Sequence, residues 1–208
     1  MRALIAQPAD CVGLTHLPGF ALPWEQALLL EIEAVAAAAP FRHMLTPGGQ
    51  RMSVAMTNCG EVGWVSDRKG YRYDRLDPKT LRPWPPLPAA IAEIAARAAG
   101  AAGFGPFRPD VCLINRYLPG ARMSLHQDRD ERDFSAPIVS VSLGLSATFL
   151  FGGAKRSDKT ARLPLDHGDV VVWGAAQRLA YHGVAPVAEG AHPAAGRMRL
   201  NLTVRKAL

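Results

Sequence analysis

The nine residues RMRLNLTVR (197–205), close to the end of the chain, decide the fold class. Polar and apolar side chains alternate through them without exception, which is the period of a β-strand. The apolar side chains fall on one face, and these are Met198, Leu200, Leu202 and Val204. The polar side chains fall on the other, and these are Arg197, Arg199, Asn201, Thr203 and Arg205. The polar face is either a solvated outer surface or the interior of a ligand-holding barrel, where arginines bind carboxylates.

Outward from this stretch, the second half of the chain predicts short strands without helices between them. Gly, Pro and Asp turns separate apolar runs, and we predict strands at 111–117, 138–145, 148–151, 170–173, 179–182 and 197–205. This pattern is typical of an antiparallel sandwich or barrel. Residues 23–39 and 88–99 have helical spacing instead, and the first helix should pack one face on a sheet. Residues 40–86 mix turn signals with aromatic residues and predict a lid or binding loop region. The predicted fold is therefore α+β with a mainly β core.

Composition excludes several classes of protein. The chain has 208 residues, 49% of them hydrophobic and 20% charged, which excludes disorder over most of its length. The longest apolar stretch is interrupted by Glu31 and Glu33, so we predict neither a membrane span nor, from residues 1–21, a secretory signal. Cys11, Cys59 and Cys112 lie far apart, which favours a reducing cytoplasm.

The charge of the chain indicates what kind of partner it binds. The net charge is +6, and the basic surplus lies in the second half of the chain. A basic surface of this kind favours polyanions or carboxylate metabolites. A basic protein without such a partner explains the charge equally well.

Two histidines and one aspartate are the strongest candidates for chemistry. His126 and Asp128, at positions i and i+2 of an extended segment, can point the same way and supply two metal ligands. His167 and Asp169 have the same spacing, but they sit at a glycine turn before an apolar strand, so we interpret them as turn residues. His182, at the end of a predicted strand, is the third candidate ligand. Two histidines and a carboxylate form the ligand set of non-haem Fe(II) oxygenases.

The order of these motifs resembles the AlkB family of iron(II)- and 2-oxoglutarate-dependent dealkylating dioxygenases. The resemblance rests on NRY (115–117), HxD (126–128), His182 and RxNxTxR (199–205), and it extends through MSVAMTNCG (52–60) and GW (63–64). It implies a double-stranded β-helix, or jelly roll, with N-terminal helices and a nucleotide-recognition lid. The expected divisions are an N-terminal extension and helix at 1–45, the lid with a supporting helix at 46–105, and the dioxygenase core at 106–208.

The resemblance also implies the cofactors and the residues that bind them. His126, Asp128 and His182 would be the catalytic residues and would hold Fe(II), with 2-oxoglutarate and O2 as cosubstrates. Arg199 and Arg205 would bind the two carboxylates of 2-oxoglutarate. The other expected cosubstrate residues are Asn115, Arg116, Tyr117, Asn201 and Thr203. Demethylation of N1-methyladenine or N3-methylcytosine would release formaldehyde, succinate and CO2.

Six further residues match the family's contacts to the substrate. A cationic methylated base needs an aromatic face and a carboxylate, and Trp64 and Asp130 match these positions. The remaining matches are Tyr71, Arg72, Tyr73 and Arg156. The tyrosines also alternate as a strand edge would, and Arg156 lies in a charged run typical of a solvated hairpin tip. The expected partner is alkylated DNA, single-stranded or with a flipped base, and RNA stays open. We expect a monomer.

Two other functions compete with this interpretation. An Fe(II)/2-oxoglutarate hydroxylase of a protein or small-molecule substrate would share the iron chemistry, but it would not need the aromatic and basic lid at about residues 50–75. A non-catalytic nucleic-acid-binding module would have no use for three metal ligands.

Overall fold

The computed structural model describes residues 13–208, and two antiparallel sheets dominate it. The expectation for a signal in residues 1–21 lies partly outside this range, and Cys11 lies wholly outside it. With strands numbered in chain order, the large sheet contains β1 (Leu14–Leu17), β2 (Arg42–Leu45), β3 (Arg51–Gly60), β6 (Val111–Tyr117), β8 (Ile138–Gly144), β11 (Val170–Trp173) and β13 (Arg199–Arg205). Its strand order is β1-β11-β8-β13-β6-β3-β2.

The second sheet and a separate hairpin complete the β structure. The second sheet contains β7 (Met123–His126), β9 (Ala147–Phe151), β10 (Ala161–Leu165) and β12 (His182–Val184), in the order β10-β9-β12-β7. The hairpin consists of β4 (Gly63–Asp67) and β5 (Gly70–Asp74). Two facing antiparallel sheets in this arrangement form the jelly roll that the resemblance predicted.

The strand β13 lies at the centre of the large sheet, between β6 and β8, and all seven of its residues are buried. Leu200, Leu202 and Val204 pack in the core cluster on the helical side of the sheet. The polar face of β13 is directed toward the second sheet, into a pocket lined by Asn201, Thr203 and Arg205. The polar face is therefore interior, and the alternative of a solvated outer surface is excluded.

Two helices cover the outside of the large sheet, as the helical spacing predicted. The helix α1 (Glu25–Ala38) buries Leu28, Ile32 and Val35, and α2 (Ala89–Ala101) packs beside it. The carboxylate of Glu31 accepts hydrogen bonds from the backbone N–H groups of Ala90 and Ile91, at the start of α2. It therefore satisfies two of the free donors that a helix N-terminus leaves. No helix within residues 13–208 combines the length and the apolar character that crossing a membrane requires.

The structure departs from the sequence prediction at several strands. Residues 179–181 form no strand, and β12 begins only at His182. The sequence did not predict β1, β7 or β10, and β13 begins at Arg199 rather than at residue 197. The region 40–86 contains four strands rather than irregular loops. Among them, β3 is hydrogen-bonded to β6 within the large sheet, and only β4 and β5 stand apart as a hairpin. The expected division into 1–45, 46–105 and 106–208 stays a prediction.

Candidate active site

The two candidate histidine ligands lie directly opposite each other on neighbouring strands. His126 ends β7, His182 begins β12, and the two residues are partners in the register of this strand pair. Asp128 follows β7 by two residues and is buried between them. The Nε2 atom of His126 lies 3.7 Å from Oδ1 of Asp128, and Nε2 of His182 lies 3.7 Å from Oδ2. In the range 13–208, these three residues are the one group of His, Cys, Asp and Glu side chains that can share a metal ion.

Backbone carbonyls fix the tautomer of both imidazoles. Nδ1 of His126 lies 2.9 Å from the carbonyl oxygen of Ser124, and Nδ1 of His182 lies 3.0 Å from that of Ala180. A carbonyl only accepts hydrogen bonds, so each Nδ1 carries the proton and each Nε2 keeps a free lone pair. Burial lowers the pKa of His182 to about 4, so that ring is neutral at neutral pH. Both rings are therefore ready to bind a metal through Nε2.

The third ligand is an ionised carboxylate. Burial by itself would raise the pKa of Asp128, but the neighbouring positive charges, of which that of Arg205 contributes most, together outweigh burial and bring the pKa down to about 2. Nη2 of Arg205 lies 3.0 Å from Oδ2 of Asp128. Two imidazoles and one carboxylate, without a thiolate, are the donors that non-haem Fe(II) takes. The side chains of this site fit Fe(II).

A small pocket between the sheets continues from these ligands along the polar face of β13. It is lined by Asn115 and Tyr117 of β6 and by Asn201, Thr203 and Arg205 of β13, and it reaches Asp128 and His182. The amide of Asn115 donates to Oδ1 of Asn201, at 3.2 Å, and the amide of Asn201 donates to the Ser140 hydroxyl, at 2.8 Å. Burial raises the pKa of Tyr117 to about 12, so its hydroxyl remains a donor.

The guanidinium of Arg199 lies beside this pocket, over the ring of Tyr117, and indicates what the interior of the jelly roll binds. The side chain is 1% exposed, its Nη2 donates to the Ser142 hydroxyl at 2.9 Å, and its charge lies over the ring of Tyr117. Within residues 13–208, no acceptor lies within hydrogen-bonding distance of its Nε or Nη1. A buried cation whose donors lack acceptors is costly, and the carboxylate of a bound ligand would supply a missing acceptor. Arg199 and Arg205 together fit the two carboxylates of a keto diacid.

One expected cosubstrate residue lies elsewhere. Arg116 alternates with Asn115 and Tyr117 along β6, so its side chain emerges on the opposite face of the sheet. There its guanidinium lies 4.6 Å above the centre of the Phe41 ring. The structure therefore does not bring the Arg116 side chain to the pocket.

A larger open cavity, of about 500 Å³, begins at His126 and Asp128 and extends to the β4–β5 hairpin. Trp64 and Tyr71 of the hairpin line it with their rings stacked, 5.6 Å apart between centroids and 14° from parallel. The indole N–H of Trp64 donates to Oδ2 of Asp130, at 2.8 Å. Arg156 lies at the edge of the same cavity, over the ring of Tyr181. Four of the six expected substrate residues thus share one cavity with His126 and Asp128.

The other two expected substrate residues bind within the protein. Arg72 faces away from Tyr71 and forms a bidentate ion pair with Asp67, at 3.0 and 3.1 Å. Tyr73 lies on the same face of β5 as Tyr71, but its hydroxyl donates to Glu131, at 2.7 Å, and accepts from Arg205, at 2.8 Å. Neither residue lines the cavity in the described part of the chain.

Three residues that the sequence did not single out support the site. The side-chain amide of Asn58 on β3 bonds both the N–H and the carbonyl of Trp64, at 3.0 Å each, so it fixes the start of the hairpin. Glu131 and Arg178 form a buried ion pair beside Arg205. Asn58 and Glu131 lie next to recognised motifs, whereas nothing in the sequence around Arg178 indicates a role.

Known proteins resemble this chain in both fold and sequence. The model of the 2OG-Fe(II) oxygenase superfamily matches residues 13–205. The alpha-ketoglutarate-dependent dioxygenase AlkB of Salmonella typhimurium is 56% identical over 94% of this chain and 90% of its own length, and that of Escherichia coli is 55% identical over the same shares. The solved structure of OsALKBH1 superposes with a TM-score of 0.82 at 26% identity, over 96% of this chain and 99% of that one. With identity of this degree along nearly its whole length, the chain belongs to the AlkB family of Fe(II)- and 2-oxoglutarate-dependent dioxygenases.

Proposed function

We propose that this dioxygenase repairs DNA by oxidative demethylation of N1-methyladenine and N3-methylcytosine, taking the base from a single strand or flipped from a duplex. The observation that carries the proposal is the single cavity that joins His126 and Asp128 to Trp64 and Asp130. Relatives that match less of the chain are named DNA N(6)-methyladenine demethylase and tRNA demethylase. Nucleic acid is therefore the favoured class of substrate, with RNA beside DNA.

Three regions of the protein take part in the reaction: the metal site, the 2-oxoglutarate pocket and the larger cavity for the base. His126, Asp128 and His182 hold Fe(II), while Arg205 and Arg199 bind the two carboxylates of 2-oxoglutarate, assisted by Asn115, Tyr117, Asn201 and Thr203. When bound, the iron supplies oxidation of 2-oxoglutarate by O2 to succinate and CO2, coupled to hydroxylation of the N-methyl group. The hydroxymethyl group then leaves the base as formaldehyde. The chain's part is to orient the methyl group and to exclude water.

The cavity explains why a cationic base would be preferred. N1-methyladenine and N3-methylcytosine carry a positive charge, and an aromatic face beside a carboxylate attracts such a cation. Trp64 supplies the face and Asp130 the carboxylate, and the hydrogen bond between them holds both in place. An unmethylated base lacks the charge and gains less from this site.

The alternative of a protein or small-molecule hydroxylase has less support. Arg51, Arg122, Arg129 and Arg156 all line the cavity. A row of guanidinium groups beside stacking aromatic residues suits a phosphate backbone with splayed bases. The decisive experiment is anaerobic titration with Fe(II) and 2-oxoglutarate, followed by O2 and a panel of methylated oligonucleotides, peptides and metabolites. Formaldehyde from the oligonucleotides supports the proposal, and turnover of only the other substrates contradicts it.

Replacing Trp64 by alanine should weaken the binding of methylated oligonucleotides by about 5- to 150-fold, because stacking of one base contributes about 1–3 kcal/mol. The affinities for Fe(II) and 2-oxoglutarate should stay unchanged, since Trp64 is not a candidate metal ligand and does not line the smaller pocket between the sheets. The matched variant Trp64→Phe keeps an aromatic face but loses the N–H bond to Asp130. It should fall between the wild type and alanine. Equal loss for the oligonucleotide and for 2-oxoglutarate would contradict a stacking role.

Replacing Arg156 by alanine should reduce the salt dependence of oligonucleotide binding. Each phosphate contact on a single strand contributes about −0.7 to the slope of log affinity against log salt concentration. The loss of one contact should therefore make this slope less negative by about 0.7. Binding would be measured by fluorescence anisotropy at salt concentrations between roughly 50 and 200 mM. The control Arg197→Ala removes an exposed guanidinium that is paired with Glu189 instead. An unchanged slope for Arg156→Ala would assign this residue to a solvated hairpin tip.

A further inference from the structure

The loop that follows β7 has to be held in place by contacts with other segments. Residues 127–137 form neither strand nor helix, yet they carry Asp128, Asp130 and Glu131. Their side chains face the metal ligands, the hairpin and Arg205, respectively. A segment without its own backbone ladder gains its geometry from such outside contacts.

One buried guanidinium supplies several of these contacts. The side chain of Arg178 is 3% exposed and reaches four positions of the loop. Nη1 donates to the carbonyl oxygen of Asp128 at 2.8 Å, and Nε donates to that of Ala136 at 3.1 Å. Nη2 lies 3.3 Å from the carboxylate of Glu131, and the guanidinium lies over the ring of Phe134. Both ends and the middle of the loop are thus tied to one side chain.

Arg178 also links the two segments that deliver the metal ligands. It lies four residues before His182, directly before the predicted strand at 179–182. A second link runs parallel to it, because the side-chain amide of Gln127 donates to the carbonyl oxygen of Leu179, at 2.6 Å. The distance from Asp128 to His182 is therefore set by these cross-links as well as by the pairing of β7 with β12.

The contacts require arginine and no other cation. A guanidinium presents five N–H donors in a rigid plane, which here serve two carbonyls and a carboxylate in three directions. A lysine ammonium is a compact charge on a flexible stem, and it cannot span these acceptors at once. The pairing with Glu131 extends the effect, since Glu131 also accepts from Arg205 and from the Tyr73 hydroxyl.

We propose that Arg178 is a positioning residue for both halves of the site. It holds loop 127–137 so that the carboxylate of Asp128 meets the two imidazoles while that of Asp130 faces the base. This proposal rests on the proposed function only for the role of Asp130. The placement of Asp128 is independent of the substrate.

The first test is hydrogen exchange of the metal-free protein carrying Arg178→Lys. We expect the amides of residues 127–137 to exchange about 10-fold faster or more, while β8 and β13 keep their protection. The control Arg197→Lys changes an exposed ion pair and should leave the loop unaffected. Glu131→Gln is measured in parallel, because it keeps Arg178 and the side-chain volume, and it should loosen the same loop. Unchanged exchange in the loop, or loosening spread evenly over both sheets, would overturn the proposal.

The second test separates positioning from general damage. The ratio of formaldehyde to succinate reports whether oxidation of 2-oxoglutarate still reaches the methyl group. For Arg178→Lys we expect this ratio to fall, together with a loss of about 10- to 100-fold in Fe(II) affinity, which is typical when the support of a metal ligand is removed. An unchanged ratio and affinity beside a faster-exchanging loop would reject the positioning role. If the wild type releases no formaldehyde from any oligonucleotide, the proposed function fails, and the exchange and Fe(II) measurements still decide the role of Arg178.

Discussion

Replacing His126 by alanine should abolish formaldehyde release, with a rate at least about 1,000-fold below that of the wild type. The physical reason is that His126 supplies one of three ligand atoms, and the remaining pair cannot hold Fe(II) in the geometry that leaves positions for a keto acid and O2. The protein should still fold, because His126 is partly exposed at the end of β7. The variant therefore separates loss of the metal from loss of the structure.

The measurement combines three readouts on the same preparation. Anaerobic Fe(II) and 2-oxoglutarate should give a charge-transfer absorption band in the wild type and none in His126→Ala. The melting temperature of the metal-free protein should change little. His43→Ala serves as the matched control, since His43 lies on the edge strand β2 and bonds the carbonyl of Met52. Turnover retained by His126→Ala, or lost equally by His43→Ala, would place the iron elsewhere.

Local pattern predicted the centre of this site because strand periodicity orients side chains. Alternation along 197–205 placed Arg199, Asn201, Thr203 and Arg205 on one face, and the structure has that face inside the jelly roll. The same rule made His126 and Asp128 neighbours in space. His167 and Asp169, which share that spacing, are turn residues as predicted: Nδ1 of His167 accepts from the Gly144 N–H, and Asp169 bonds His16 and Gly19.

The supporting contacts could not be predicted, because they join positions that are far apart in sequence. The hydroxyl of Tyr73 meets a guanidinium 132 residues away, at Arg205, and is held inside the protein by that contact. Arg178 lies directly before a segment whose apolar residues suggested a strand, and no recognised motif includes it. Its side chain donates to backbone carbonyl groups of loop 127–137. Every residue has a backbone carbonyl, so the sequence does not show which of them accepts a hydrogen bond. The strand β3 escaped prediction because residues 54–59 are all buried, so its sequence shows no alternation of polar and apolar residues.

The two arginines of β13 should respond to substitution with opposite effects on stability. Arg205 is paired with Asp128 at 3.0 Å and with Glu131 at 3.3 Å. Its removal leaves the buried carboxylate of Asp128 without its guanidinium partner, whereas Glu131 keeps Arg178, and breaking a buried pair in this way typically costs about 3–5 kcal/mol. Burial lowers the pKa of Arg199, whereas the carboxylate of Asp128 raises that of Arg205 against the effect of burial. Arg199, in the described part of the chain, faces no carboxylate.

Replacing Arg199 by methionine should therefore leave the melting temperature of the cosubstrate-free protein equal to or above that of the wild type, because a buried charge without a counter-ion is removed. The same change should raise the dissociation constant of 2-oxoglutarate by about 100-fold or more, since a buried ion pair can no longer form. Saturating 2-oxoglutarate with a redox-inert divalent metal should raise the melting temperature of the wild type and not that of Arg199→Met. Arg205→Met should bind 2-oxoglutarate weakly as well, but it should also melt lower without it. If Arg199→Met melts several degrees below the wild type, Arg199 contributes to the fold itself, and its unpaired donors are no sign of a bound carboxylate.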